Sequence, residues 1–186
     1  MDPLSQATIG AAAAQSVTKK ADLARIGLIG ALAGMAPDLD VLIQSSTDPL
    51  LQLEYHRQFT HSLVFAPFGA LLCAIAFWPF VRRHMSFKAI WLTALAGYAT
   101  HGLLDACTTY GTLLLWPFSD ERIAWNTISV VDPLFTLPLL GFVIAAGVKK
   151  SQFIGRLGMA WVAFYLSIGV TPVSYTHLTL PTRTRV

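Results

Sequence analysis

Three short stretches of this 186-residue chain carry the residue types that bind metal ions and move protons. The first is Pro37-Asp38-Leu39-Asp40, two carboxylates where an apolar segment stops. The second is His56-Arg57-Gln58-Phe59-Thr60-His61-Ser62, two imidazoles bracketing the start of another apolar segment. The third is His101-Gly102-Leu103-Leu104-Asp105, an i,i+4 pair that a helix presents on one face. Imidazole nitrogen and carboxylate oxygen together suit zinc and similar divalent ions. The i,i+4 pair can reach one ion from a single helical turn, and the other two stretches can supply the opposing ligands. An ion held this way lowers the pKa of a coordinated water and yields a nucleophile near neutral pH. The expected metal ligands are Asp40, His56, His61, His101 and Asp105. Asp38 is expected behind them or as a base, and Arg57 is expected to hold an anionic group of the substrate.

Each residue also has a plainer reading. His101 and Asp105 could be a hydrogen-bonded pair tying two helices together, although ionisable groups inside a membrane are costly and usually functional. The two aspartates could end a helix and start a turn. His56 and His61 could be interfacial side chains, and Arg57 could snorkel toward lipid headgroups. Asp132, just before Pro133, suits a helix N-terminus, where the helix dipole favours a carboxylate, as well as it suits a site. Ser119 and Asp120 suit a turn. His84 stands among basic residues and reads as solvated. Ser62 lacks the flanking glycines of a nucleophile elbow.

The elements that must position these groups are read from composition and patterning. Apolar residues make up 54% of the chain and charged residues 12%, with a mean hydropathy of +0.57. A soluble domain carries about 25% charged residues, so the chain falls in the membrane class. Two short helical segments, 4–17 and 22–36, precede apolar runs at 59–81, 87–107, 128–148 and 153–170. The short segments fall below the ~20 residues of a perpendicular span, so they are expected to be tilted, buried or re-entrant. Gly27, Gly30, Ala31 and Gly34 permit close helix approach. A loop at 108–127 carries Trp116 and Trp125, which suit an interface. The expected fold is all-α: a polytopic membrane bundle of about four long and two short helices, forming one domain over residues 1–171. Residues 172–186 lack a helical period and an apolar face, and they read as a non-native tail.

Several classes are set aside. Cys73 and Cys107 have no CxxC spacing, so neither a disulfide framework nor a thiolate site is expected. The N-terminus lacks the basic stretch of a cleavable signal peptide. The net charge of +3 includes two tail arginines, and no dense basic face suggests nucleic-acid binding.

Charge asymmetry orients the bundle. Alternating the helix ends between two sides puts Lys19, Lys20, Arg25, Arg82, Arg83, Lys88, Lys149, Lys150 and Arg156 on one side. Only Arg57 and Arg122 fall on the other, a split of nine to two outside the tail. The positive-inside rule makes the richer side cytoplasmic. All the candidate ligands, drawn from separate parts of the sequence, then gather at the extracytoplasmic face.

At these residues the chain resembles the YdjM-type family of membrane-bound metal-dependent hydrolases, LexA-regulated inner-membrane proteins. The matching stretches are MDPLSQATIGAA, GALAGMAPDLDVL, YHRQFTHSLVF, HGLLDACTTYGTLLLWPFS and VVDPLFTLPLL, covering most of residues 1–148 in order. The resemblance implies a bacterial inner-membrane location and hydrolase activity. Gln6 departs from relatives that have a His there, which replaces an N-terminal ligand by an amide. Relatives also run well past the start of the tail. A more distant likeness is to zinc-dependent phospholipases C and P1-type nucleases, which combine an Asp, a later His and a helical HxxxD. Asp40, His56 and His101–Asp105 follow that order, which favours phosphoester hydrolysis.

The resulting expectation is a membrane-bound hydrolase, with zinc as the expected ion, acting on a phosphoester of a lipid or envelope metabolite. The partners are the lipid bilayer and a lipid or small-molecule substrate. An ion or small-solute transporter would instead need polar residues at mid-membrane depth on several helices. A non-catalytic membrane protein would need no convergent His/Asp set.

Overall fold

The computed structural model describes residues 1–18, 22–42 and 57–179, with side chains as far as Val170. Six α-helices account for most of them: α1 Pro3–Val17, α2 Leu23–Met35, α3 Ala66–Val81, α4 Phe87–Ala106, α5 Pro133–Lys149 and α6 Gln152–Thr179. Two 3-10 segments, Ala36–Leu42 and Phe59–His61, lie between α2 and α3. Among the described residues there is no strand, only an isolated bridge between Thr112 and Ile123. The chain is all-helical. Within α6, Gln152–Val170 is long and apolar enough to cross a bilayer, while Ala66–Val81 and Pro133–Lys149 are apolar but shorter.

Helix starts follow from local chemistry. Asp2 caps α1 by accepting from the Ser5 amide, and Asp22 caps α2 by accepting from the amides of Ala24 and Arg25. The run expected from residue 59 becomes helical only at Ala66. A 3-10 turn occupies Phe59–His61, and the Ser62 hydroxyl accepts from the Phe65 amide at 3.2 Å. The run expected from residue 128 becomes helical at Pro133. There the Asp132 carboxylate accepts from the amides of Leu134 and Phe135, and proline fills a position that needs no N–H. Asp132 therefore acts as a helix cap, and it also accepts from the Tyr165 hydroxyl at 2.8 Å. At the other end of the chain, α6 runs to Thr179 without a break at residue 172.

Small residues set the packing of the first half. A Cβ on Gly30 would lie 2.5 Å from both the Gly10 carbonyl oxygen and the Ala14 Cβ, and one on Gly97 would meet the Gly30 carbonyl. Helices α1, α2 and α4 therefore touch backbone to backbone, as the glycine pattern predicts. One core joins Ile26, Ile29 and Ala33 of α2 to Ala70 and Ala74 of α3 and Ile90 and Ala94 of α4. A second joins Ile9 and Ala12 of α1 to Phe135 and Leu139 of α5 and Val162 of α6. Helix α1 belongs to both assemblies, since its Ala14 lies in the first core.

Hydrogen bonds fix the order of the ends. At one end, the Asp2 amide donates to Val130 O at 3.1 Å, and His101 near the end of α4 meets Gly34 near the end of α2. At the other, Gln152 and Arg156 at the start of α6 donate to Ser16 O at the end of α1. The start of α1, the end of α2, the end of α4 and the start of α5 thus share one end. All three candidate stretches open there.

Candidate metal centre

The 3-10 segment after α2, the turn before α3 and the last turns of α4 converge at that end. One atom from each of Asp38, His61, His101 and Asp105 can be chosen so that all four lie within 4.8 Å of one another. The His61 and His101 Nε2 atoms are 3.0 Å apart, with ring centroids at 4.6 Å. Asp38 Oδ1 lies 3.5 Å from His61 Nε2 and 3.3 Å from His101 Nε2. Asp105 Oδ2 lies 3.5 Å and 3.8 Å from the same two nitrogens.

Both imidazoles are oriented from behind. The His101 Nδ1–H donates to the Gly34 carbonyl at 2.5 Å, which leaves Nε2 as the lone-pair nitrogen. The His61 Nδ1–H donates to Thr60 Oγ1 at 2.9 Å, and that hydroxyl donates to Asp40 Oδ2 at 2.9 Å. His61 is also seated on α4, because Gly102 leaves room that a Cβ would take from the His61 carbonyl. The two Nε2 lone pairs therefore face each other at 3.0 Å beside two carboxylates. Four acceptors crowded together repel one another unless a shared proton or a metal cation lies among them. Asp105 Oδ2 points the same way: it is buried and lacks a hydrogen-bond partner among the described residues. This donor set fits a divalent ion.

The remaining contacts hold Asp105 and open the cluster on one side. Asp105 Oδ1 accepts from Gln6 Nε2 at 3.0 Å and pairs with the buried Met1 α-amino group. Gln6 is thus a buried neighbour of the cluster, and its Oε1 has no hydrogen-bond partner among the described residues. Arg57 Nε approaches Asp105 Oδ2 at 3.5 Å, and its guanidinium lies over the Tyr110 ring at 5.2 Å. Arg57 Nη1 is buried with no hydrogen-bond partner among the described residues. The Arg57 backbone has a φ of 64°, uncommon for a residue with a side chain. It is pinned there by its amide donating to Asp40 Oδ2 at 3.1 Å and its carbonyl accepting from the Leu113 amide at 3.3 Å. The side chains of His61 and Asp105 are fully buried, whereas Asp38 is 30% exposed. Access is from the Asp38 side.

Electrostatics shift two of the four candidate ligands. Burial opposes the charge on Asp38, but in the metal-free protein a proton carried on the Nε2 side of His101 or His61 outweighs it, holding the carboxyl far below the usual range. Burial pushes the His61 imidazole below its ordinary value, which favours the neutral form that can ligate.

The structure places the two aspartates the other way round from the expectation. Asp38 joins the four-atom cluster, while Asp40, 3% exposed, sits behind His61 with Oδ2 at 3.5 Å from Nδ1. Geometry explains this: a 3-10 helix turns in three residues, so positions i and i+2 face different ways. His61, His101 and Asp105 converge as expected, and His56 lies outside the described residues. Asp120 and Glu121 lie in the 107–132 loop, where the Ser119 hydroxyl accepts from the Glu121 amide, and neither belongs to the cluster. Thr60 and the Gly34 carbonyl were not expected as orienting groups. A threonine is too common, and a carbonyl carries no side-chain signal.

Comparison with known proteins places the chain. Residues 1–178 match the family described as YdjM inner membrane protein. The inner membrane protein YbcI of Escherichia coli (strain K12) is 35% identical over 150 residues, covering 74% of this chain and 83% of YbcI. The uncharacterized protein YfhP of Bacillus subtilis (strain 168) is 28% identical over 148 residues, covering 77% of this chain and 44% of YfhP. No solved structure matches significantly. The chain belongs to the YdjM inner membrane protein family.

Proposed function

We propose that this protein is a polytopic inner-membrane hydrolase that cleaves a phosphoester of a lipid or envelope metabolite at a divalent-metal centre on the extracytoplasmic side. The observation that carries the reading is the convergence of Asp38, His61, His101 and Asp105 with their lone pairs directed at one point. A divalent ion there, zinc being the first choice for this N/O set, would supply Lewis acidity toward a phosphoryl oxygen and acidify water. Arg57 supplies the anion contact through its unpartnered Nη1. Asp105 keeps that guanidinium close to the cluster. Burial of three of the four ligands limits water access, and Asp38 leaves one side open to substrate.

Multiple crossing is supported by the outer surface. Leu28, Leu32, Phe68, Leu72, Phe80, Leu134, Leu137, Ile144 and Phe164 are exposed apolar side chains spread over α2, α3, α5 and α6. Patches of this kind mark a membrane-facing surface. A reporter fused after Lys150 is expected to read cytoplasmic, and one inserted at Asp120 periplasmic, on the nine-to-two basic asymmetry. The opposite pattern would move the site to the cytoplasm and defeat the envelope-substrate reading.

The activity is tested by incubating the purified full chain with a soluble phosphodiester such as bis(p-nitrophenyl) phosphate. Hydrolysis should disappear on chelation and return with added zinc or manganese. Release that is indifferent to chelation, or absent with every divalent ion, contradicts the hydrolase assignment.

A further inference from the structure

A groove of about 460 Å³ lies between α2 and α3, beginning at the metal cluster. Leu32, Met35, Leu39, Ala76 and Phe77 contribute to its walls, and among the described residues Asp38 is the single charged one lining it. Its volume is that of a small-ligand site, for which the range is roughly 300–1,000 Å³. Asp38 belongs to both features, lining the groove and contributing one of the four candidate ligand atoms. It is also the exposed member of that cluster. The wall residues Leu32, Met35 and Leu39 are themselves exposed, so the groove is continuous with the apolar outer surface.

A site with this distribution fits an amphiphile. Its polar end is Asp38, and behind Asp38, off the groove's lining, lie the other three candidate ligand atoms and Arg57 Nη1, an anion-seeking donor without a hydrogen-bond partner among the described residues. Further along, the described walls are apolar, with the Cys73 thiol and the Met35 thioether as their side-chain heteroatoms. The chain belongs to an inner-membrane family, and the molecules adjoining such a surface are bilayer lipids.

We propose that this groove receives an acyl chain of a glycerophospholipid that enters sideways from the bilayer and brings its phosphate to the cluster. The assignment of the phosphate end rests on the metal-hydrolase reading above; occupation of the groove does not require turnover. The lipid's tail is buried against α2 and α3 while its headgroup meets Asp38 and Arg57. Selectivity then comes from the apolar length of the substrate as well as from its phosphate, since each buried methylene contributes about 0.8 kcal/mol, roughly a fourfold gain in affinity.

The test is photolabelling of the full chain in nanodiscs doped with a phosphatidic acid that carries a diazirine midway along one acyl chain. Adducts are located by peptide mass spectrometry. The expected result is labelling concentrated on Leu32, Met35, Leu39 and Phe77. That labelling should be lost in Ala76→Trp, which fills the groove, while labelling of Leu134 and Leu137 on α5 and the metal content stay unchanged. Should Ala76→Trp fail to fold, Leu32→Trp fills the same groove from an exposed position. Labelling spread evenly over α3 and α5, or unaltered by a folded groove-filling variant, overturns the proposal. Groove-specific labelling of a protein that hydrolyses no phosphoester upholds the lipid site and removes the hydrolase reading, so the two fail separately.

Discussion

Replacing His101 with Asn is expected to abolish divalent-metal binding and hydrolysis while leaving the helical bundle folded. His101 is fully buried, and its two nitrogens do different work. Nδ1 donates to the Gly34 carbonyl, tying α4 to the end of α2, and Nε2 faces His61 Nε2, Asp38 and Asp105. An asparagine amide can keep the first bond and has no atom in the second position. Loss of an orienting partner behind a ligand typically costs about 10–100-fold in metal affinity, so loss of a ligand atom should cost at least about 100-fold. His101→Ala should lose metal equally and stability as well, because it leaves the Gly34 carbonyl without its partner, at about 1–3 kcal/mol, and opens a cavity. Unchanged metal content in a folded Asn variant would reduce the cluster to a helix-tying polar pair.

The second large effect is a crossover between the two neighbouring aspartates. Asp38→Ala should lower metal affinity by at least about 100-fold and cost metal-free protein less stability than Asp40→Ala, since Asp38 is part-exposed and its contacts are with the two imidazoles. Asp40→Ala should do the reverse. It strips the Arg57 amide and the Thr60 hydroxyl of their shared acceptor, destabilising metal-free protein by about 1–3 kcal/mol. By loosening the Thr60–His61 link, it should weaken metal binding only about 10–100-fold. Metal titration and thermal unfolding of both variants check the pattern. If Asp40→Ala proves the more damaging to metal affinity, Asp40 is the ligand and Asp38 the supporting group.

This contrast marks what was legible in the sequence. The i,i+4 relation of His101 and Asp105 follows from helical geometry alone, and charge asymmetry gathered the scattered candidates at one end. The glycines of α2 announced close packing, and Gly30 and Gly34 take part in it. The choice between Asp38 and Asp40 was not legible, because residues two apart face different ways in any helix, and which of them meets His61 and His101 depends on how Ala36–Leu42 is rotated as it leaves α2. Pro37 signals a stop but not the kind of turn that follows. The late start of α3 was hidden for a related reason: Leu63, Val64 and Phe65 run directly into the apolar sequence of the helix, yet residues 59–65 turn to seat His61 on Gly102 of α4. The Gly34 carbonyl and the Met1 amine at Asp105 are backbone groups, which side-chain patterns do not reveal.

The central claim, that two imidazoles and two carboxylates hold one divalent ion, is tested most directly by zinc K-edge X-ray absorption on the zinc-loaded full chain. The account predicts about one zinc per chain with nitrogen and oxygen neighbours at about 2.0–2.2 Å. The outer-shell scattering should correspond to two imidazole rings in the native protein and to one in the His101→Asn variant reloaded with excess zinc. A spectrum of hydrated zinc with no imidazole scattering, or one that is the same in both proteins, would contradict it.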